Sequence, residues 1–195
     1  MLQKYRENTR IAYVGGVNYG LKFGNASYVF SNLPAATYAM GTWKRVYDLY
    51  EYRLESFPET AKDSSFRRKF PDLTSYWMFM PRFLRYFKHG GNTYDIQMIY
   101  LSYKYEMFSI APNINMVSNI GLDGGANNCV DVNSEKYRRL ANRPRFEINE
   151  IDDPETFVVD DKFERKWFDV RVLQGKSRMM FLLKAFIKKC IGRSL

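Results

Sequence analysis

Cysteine and histidine are almost missing from this chain: Cys129, Cys190 and His89 are its whole supply. The two cysteines lie far apart and form no CxxC pair, so a zinc site built from Cys and His is not expected. Nothing requires a disulfide, which makes a reducing compartment the default. No stretch reaches the roughly 18 apolar residues that a membrane span needs. The opening segment, Met1 to Arg10, is polar and does not read as a signal peptide. GxGxxG and a Walker lysine are both absent around "GVNYGLKFGN", whose three glycines read as a flexible loop over a ligand rather than a phosphate cradle. The basic clusters at 67–69, 143–145 and 188–189 are scattered, without an RNP-like or helix-turn-helix pattern, so nucleic acid is not an expected partner. No internal repeat or low-complexity segment is present.

What the chain does contain is aromatic bulk and positive charge. Its 195 residues suffice for one domain with a real core, or a domain with a tail, and the 46% hydrophobic share rules out a disordered chain. Fifteen tyrosines offer flat faces with a polar tip, which suits sugar or base stacking as well as core packing. The net charge of +9, from 30 basic and 21 acidic residues, favours polyanionic partners such as phosphorylated substrates, anionic lipid or nucleic acid, without choosing among them.

Ile11 to Gly16 predicts a central strand with a tight turn, and Ala26 to Ser31 a second strand. In "GTWKRVYDLYEYRLESF", Thr42 is placed to cap a helix whose apolar face is Trp43, Val46, Tyr47, Tyr50 and Leu54. Asp48, Glu51 and Glu55 then fall on a solvated face and pair with Lys44 and Arg45. "ETAKDSSFRRKFPD" reads as a polar connection. "LTSYWMFMPRFLRYFK" is a second helix that Pro81 should kink or break. Tyr94 to Glu106 is a third, with Ile96, Ile99, Tyr100 and Tyr103 on one face. "FSIAPNINMVSNI" alternates like a strand, and its proline favours an edge or bulge position. The acidic pairs of "DDPETFVVDD" are of a kind that can hold a divalent cation or simply face solvent. "KSRMMFLLKAFIKKCIGRSL" is a basic amphipathic helix. It suits an anionic membrane surface, or packing with its lysines solvated.

One acid stands apart. Asp95 follows "GGNT" at the head of the third helix, where the helix dipole and free backbone N–H groups stabilise a carboxylate. It is either a capping acid or a general base that takes a proton from an attacking hydroxyl.

Two stretches resemble a family. "AMGTWKRVYDLYEYRLESFPE" is similar to the W-A-T-W-[KR]-x-W/Y-D segment of bacterial glycosyltransferases related to family 2, of the GT-A type. "TYDIQMIYLSYKYEMFSIAPNINMVSNIG" is similar to their later W-D-x-Q-W, helix, P-x-x-N-L-[VI]-x-N-I-G segment. Both fall in the family's order at similar spacing, over roughly Leu2 to Gly125. Some relatives of this group carry hemolysin-like names. The resemblance implies a nucleotide-sugar-dependent transferase with Asp95 as the general base. It implies substrate-binding roles for Gly41, Thr42 and Trp43 as a wall beside the acceptor, and for Gln97, Asn115, Asn119 and Gly121 in the cleft.

The departures are specific. Asn128 stands where the family has a histidine, and "DDP" at 152–154 replaces a common H-P. No strand ending in D-x-D or E-D-D precedes "YRENTRIAYVGG", so the chain reads as beginning in mid-domain. The expected fold is α/β: a partial GT-A-like fold, a short mixed sheet flanked by helices, lacking the N-terminal nucleotide-binding half. Residues 1–125 are expected to be the acceptor-side half, 126–174 an irregular wrapping segment and 175–195 the basic helix. A full-length relative is expected to use Mn or Mg, for which this chain has no ligand set. The expected partners are a nucleotide-sugar donor, a glycan acceptor, a missing N-terminal segment, and an anionic membrane touched through 175–195. The expected location is cytoplasmic, peripheral to the inner face of the membrane, with little transfer by the chain alone. The competing expectation is a non-catalytic glycan- or membrane-surface-binding module.

Overall fold

Two short apolar runs build the centre of the sheet. Strand β1 (Ile11–Gly15) and strand β4 (Phe108–Pro112) carry no charged side chain, as strands covered on both faces do. They pair in parallel, with an irregularity between Ile11 and Tyr13. Strand β2 (Tyr28–Ser31) runs antiparallel to β4 and strand β3 (Met40–Thr42) antiparallel to β1, giving the order β2-β4-β1-β3. The computed structural model describes residues 1–33, 38–119, 133, 143–173 and 175–190. The chain is α/β, with a small mixed sheet and flanking helices.

The expectation of an edge or bulge for the proline strand is corrected: β4 lies inside the sheet. Pro112 is tolerated because it is the last residue of β4. The β1–β4 pairing has already ended at Val14 and Ile110, so no ladder donor is missing.

The predicted helix over Trp43 to Leu54 shrinks to one turn, α1 (Lys44–Tyr47), capped at Trp43 without a side-chain bond. Thr42 is not its cap; its hydroxyl donates to the Ala12 carbonyl at 2.7 Å inside the β3–β1 pair. The chain then turns tightly, ending in a left-handed Leu54 (φ 53°). Val46 and Leu54 reach the core, whereas Tyr47 stays outside. The polar connection contains two short helices, α2 (Phe57–Lys62) and α3 (Ser64–Arg68). Their buried Phe57 and Phe66 pack with Phe70 against Tyr100 and Tyr103 of the later helix α5.

Helix α4 (Leu73–His89) runs unbroken through Pro81, contrary to the expected break. Its caps are strong: Asp72 accepts from the Ser75 N–H at 2.7 Å, and Gly90 closes it at φ 68°. Its buried residues Met78, Phe79, Phe83 and Tyr86 anchor the helix to the core on both sides of Pro81. Helix α5 (Asp95–Tyr105) is buried on all sides from Gln97 to Tyr103. One face, with Met98 and Leu101, meets Ala12 and Tyr13 of the sheet, and the other, with Ile99 and Tyr100, meets α4. The opposite sheet face, including Phe30, Phe108 and Ile110, is covered by Met1, Tyr5, Phe157 and Val159.

Within the stretch read as irregular, residues 143–160 contain no helix or strand, apart from an isolated bridge between Val159 and Phe30. Helix α6 (Asp161–Phe168) and a π-helical turn (Asp169–Leu173) follow. Asp160 caps α6 by accepting from the Phe163 N–H at 2.8 Å. Helix α7 (Arg178–Cys190) packs on α4. Among the described residues no helix is long and apolar enough to cross a membrane.

Candidate active site

Asp95 is the first residue of α5 and is half-buried. The capping position belongs to Tyr94, with φ −104° and ψ 2°, so Asp95 sits inside the first turn, beside the backbone N–H groups of the helix end. Two bonds tie this end to the turn after α1. Gln97 Nε2 donates to the Tyr52 carbonyl at 3.1 Å, and the Tyr52 hydroxyl donates to the Gly91 carbonyl at 3.2 Å. Gln97 itself is buried, so its amide positions the turn rather than facing solvent. The loop before α5 is fixed too. The Tyr86 hydroxyl and Thr93 Oγ1 are 2.9 Å apart, and a Cβ at Gly91 would lie 2.2 Å from the Tyr86 ring. Only glycine lets the chain pass that close.

Tyrosines gather at this end of α5. The Tyr47 and Tyr50 rings stack, with centroids 5.9 Å apart and planes 4° from parallel. Burial, then the neighbouring Tyr47, Tyr52 and Tyr86, push the Tyr50 hydroxyl above its ordinary range. Tyr47 is 65% exposed and Tyr52 57%, and Tyr94 is exposed beside Asp95. Tyr47 and Tyr50 are members of the stripe predicted to face the core. The structure leaves Tyr47 at the surface and keeps Tyr50 half-buried against the cluster that contains Ala12, Tyr13 and Val46.

Gly41 and Thr42 lie in β3, paired with β1 through Val14 and Tyr13. The Trp43 indole packs with Met98 and Leu101 of α5, and the Arg45 guanidinium lies 4.1 Å over it. Arg45 also donates to the Asn8 and Ile11 carbonyls, so it does not join the predicted pairing with acids. Trp43 thus shares an apolar cluster with Met98 and Leu101 of α5, a cluster to which neither Asp95 nor Gln97 belongs. Of the acids expected to be solvated, Asp48 pairs with Lys44 as predicted. Glu51 is instead half-buried and bonds Lys104 Nζ at 2.6 Å and the Ser56 N–H at 2.7 Å. Burial raises its pKa, but those bonds outweigh it and hold the carboxyl below the usual range.

Asn115 is buried and spends its side chain internally. Oδ1 accepts from the Asn18 N–H at 3.1 Å, while Nδ2 donates to the Val117 and Pro144 carbonyls. Asn18 reaches the Leu21 and Pro112 carbonyls, and Asn113 holds the Phe23 and Ala26 carbonyls. The glycine-containing loop read as flexible is therefore clamped by three asparagines. The signal for Asn113 lay in the sequence as the asparagine directly after Pro112; Asn18 had none beyond its place among glycines. Asn119 is half-buried, and Gly121 and Asn128 lie outside the described residues.

A mainly apolar cavity of about 500 Å³ opens at the C-terminal ends of β1 and β4, lined in part by Gly15, Gly16, Pro112, Met116 and Val117. Its lining does not include Asp95. The acidic pairs at 152–153 and 160–161 have structural employment: Asp153 bonds Lys4 and the Tyr28 hydroxyl, and Asp160 caps α6. Among the described residues no three His, Cys, Asp or Glu side chains converge as a metal site. No protein-family model matches this chain, and no curated protein or solved structure matches it.

Proposed function

We propose that this chain is the acceptor-side part of a GT-A-type glycosyltransferase, related to family 2, and that Asp95 is its general base. The observation that carries the reading is the setting of Asp95. It is a half-buried carboxylate in the first turn of α5, next in sequence to the exposed Tyr94, at the helix end that exposed Tyr52 bonds through Gly91 and Gln97. Tyrosine faces are suited to the apolar faces of sugar rings, and their hydroxyls to sugar hydroxyls. The resemblance of "TYDIQ" to W-D-x-Q supports the same residue. Gln97 and Trp43 act as positioning residues, one fixing the Tyr52 turn and the other wedging β3 against α5.

In the proposed reaction the acceptor hydroxyl gives its proton to an Asp95 carboxylate oxygen as its own oxygen attacks the anomeric carbon of the donor sugar. The bond from that carbon to the diphosphate oxygen breaks, and its electron pair leaves with the nucleoside diphosphate. The leaving group needs charge stabilisation rather than a proton, so one carboxylate suffices for the proton chemistry. Among the described residues no three His, Cys, Asp or Glu side chains converge to hold the divalent cation expected of the full-length enzyme.

The test measures nucleotide release from nucleotide-sugar donors with glycan acceptors, using this chain alone and joined to a donor-binding half. Little release is expected from the chain alone. In the joined protein, Asp95→Asn should lower turnover by about 10²–10⁴-fold while the fold is retained. Turnover by Asp95→Asn at the wild-type level would refute the assignment.

A further inference from the structure

Helix α7 carries two apolar stripes, and only one is used. Arg178, Phe181 and Ala185 recur at i, i+3 and i+7 and face inward. Ala185 is 4% exposed, and the Phe181 ring meets Phe168 edge-on at 6.0 Å. Arg178 pins the helix start, donating to Asp72 at 2.8 Å, Asp169 at 2.9 Å and the Arg165 carbonyl at 2.7 Å. The helix cannot roll without breaking these bonds. Met179, Met180, Leu183, Phe186 and Ile187 recur at i, i+1, i+4, i+7 and i+8 on the opposite side. Met179 is 76% exposed and Phe186 62%, and the other three are exposed as well. A contiguous apolar face of this kind marks an interaction surface rather than scattered exposure.

Charge decides what covers it. From Lys176 to Leu195 the chain has six lysines and arginines and no acid. Exposed Lys184 and Lys188 sit one turn apart along the border of the apolar stripe. Two copies of this face brought together would set two acid-free, lysine-bearing helices against each other. An anionic bilayer has the matching character instead, with an apolar interior under a layer of phosphates. The 13-residue helix is about 20 Å long, enough to lie in the headgroup plane and too short to span the hydrocarbon. We propose that α7 docks this protein on anionic phospholipid. The Met179–Ile187 stripe sinks into the acyl boundary, and Lys184 and Lys188 rest against headgroup phosphates.

This inference is independent of the transferase reading. The experiment is co-sedimentation of the full chain with vesicles of phosphatidylcholine alone or of equal parts phosphatidylcholine and phosphatidylglycerol, at low and high salt. Binding to the mixed vesicles is expected to exceed binding to the neutral ones by about tenfold and to fall with salt. Leu183→Ser with Phe186→Ser should lower it by about tenfold or more, and Lys184→Glu with Lys188→Glu should do the same. All four side chains face solvent, and an unchanged melting curve checks that the variants fold. Phe186→Trp should keep binding and shift its emission to the blue on the mixed vesicles. Equal binding to both vesicle types, or none to either, overturns the proposal. So does a dimer by light scattering that Leu183→Ser with Phe186→Ser dissociates, or binding that an acidic polypeptide supports and vesicles do not.

Discussion

Glu164 shows how much one side chain can be shaped by its place. In α6 it lies between Phe163 and the exposed Arg165, and its sequence setting is that of a surface acid. The structure buries it, with one oxygen accepting from the Ser31 hydroxyl at 3.0 Å and from the Asn32 N–H, and the other without a hydrogen-bond partner. Burial, only partly opposed by those bonds, pushes its carboxyl from 4.5 up to about 7. Between those values the native state holds more protons than the unfolded chain, so stability falls as pH rises through this window. The effect is on the order of 3 kcal/mol. Glu51 acts in the opposite sense, adding stability that is lost as pH falls below its ordinary pKa. Urea unfolding at pH 5 and pH 7.5 should show the Glu164 slope in the wild type, and Glu164→Gln should flatten it. An unchanged slope in that variant would mean the carboxyl is not the titrating group. Asp95 was legible because its setting at a helix start is local. Glu164 was not, because its burial depends on Ser31 and Asn32, far away in the chain.

At the scale of elements, Asp72 couples two helices. One oxygen caps α4 through the Ser75 N–H and the other pairs with Arg178 at the head of α7. Asp72→Ala removes both and should cost about 1–2 kcal/mol, as lost caps do. Asp72→Ser keeps a capping oxygen and removes only the tether. An ion pair of this exposure contributes roughly 0.5–1 kcal/mol, so amide exchange in α7 should speed up about two- to fivefold while α4 is unaffected. Equal acceleration in α4 would show that the serine does not cap. The elements that read correctly, β1 and α5, have patterns complete within themselves. Those that misled depend on neighbours. Trp43, Val46, Tyr47 and Tyr50 keep helical spacing, yet α1 stops after one turn, where the Gln97 amide and Tyr52 hydroxyl fix the following turn against α5. The interior position of β4 was hidden because its proline lies just past the last residue that β1 pairs.

For the whole molecule, the sheet is closed on one face by helices and on the other by an extended segment. Phe157 is the centre of that second cover, with ring centroids 4.6 Å from Phe30 and 5.3 Å from Phe108, and the Arg10 guanidinium 5.0 Å above its ring. Phe157→Ala should cost about 2–3 kcal/mol. If the two covers fold as one unit, denaturation followed by far-ultraviolet dichroism and by fluorescence of Trp43, Trp77 and Trp167 will give coincident curves for wild type and variant. An early separate loss of part of the signal in the variant would show that the segment closes independently. This cover was not legible from residues 143–160, which lack periodicity and owe their conformation to the sheet they touch.

The strand order has a consequence for how the chain is made. β1 and β2 leave the ribosome early, but they are not neighbours: β4 lies between them, pairing with β1 through Phe108 to Ile110 and with β2 through Ser109 to Pro112. Until the ribosome has passed Pro112, β2 has no ladder partner and β1 has only β3, leaving two apolar strand edges bare while five helices are synthesised. Completion of the sheet is therefore a late insertion between waiting edges, the step at which a nascent chain is most open to pairing with another copy of itself.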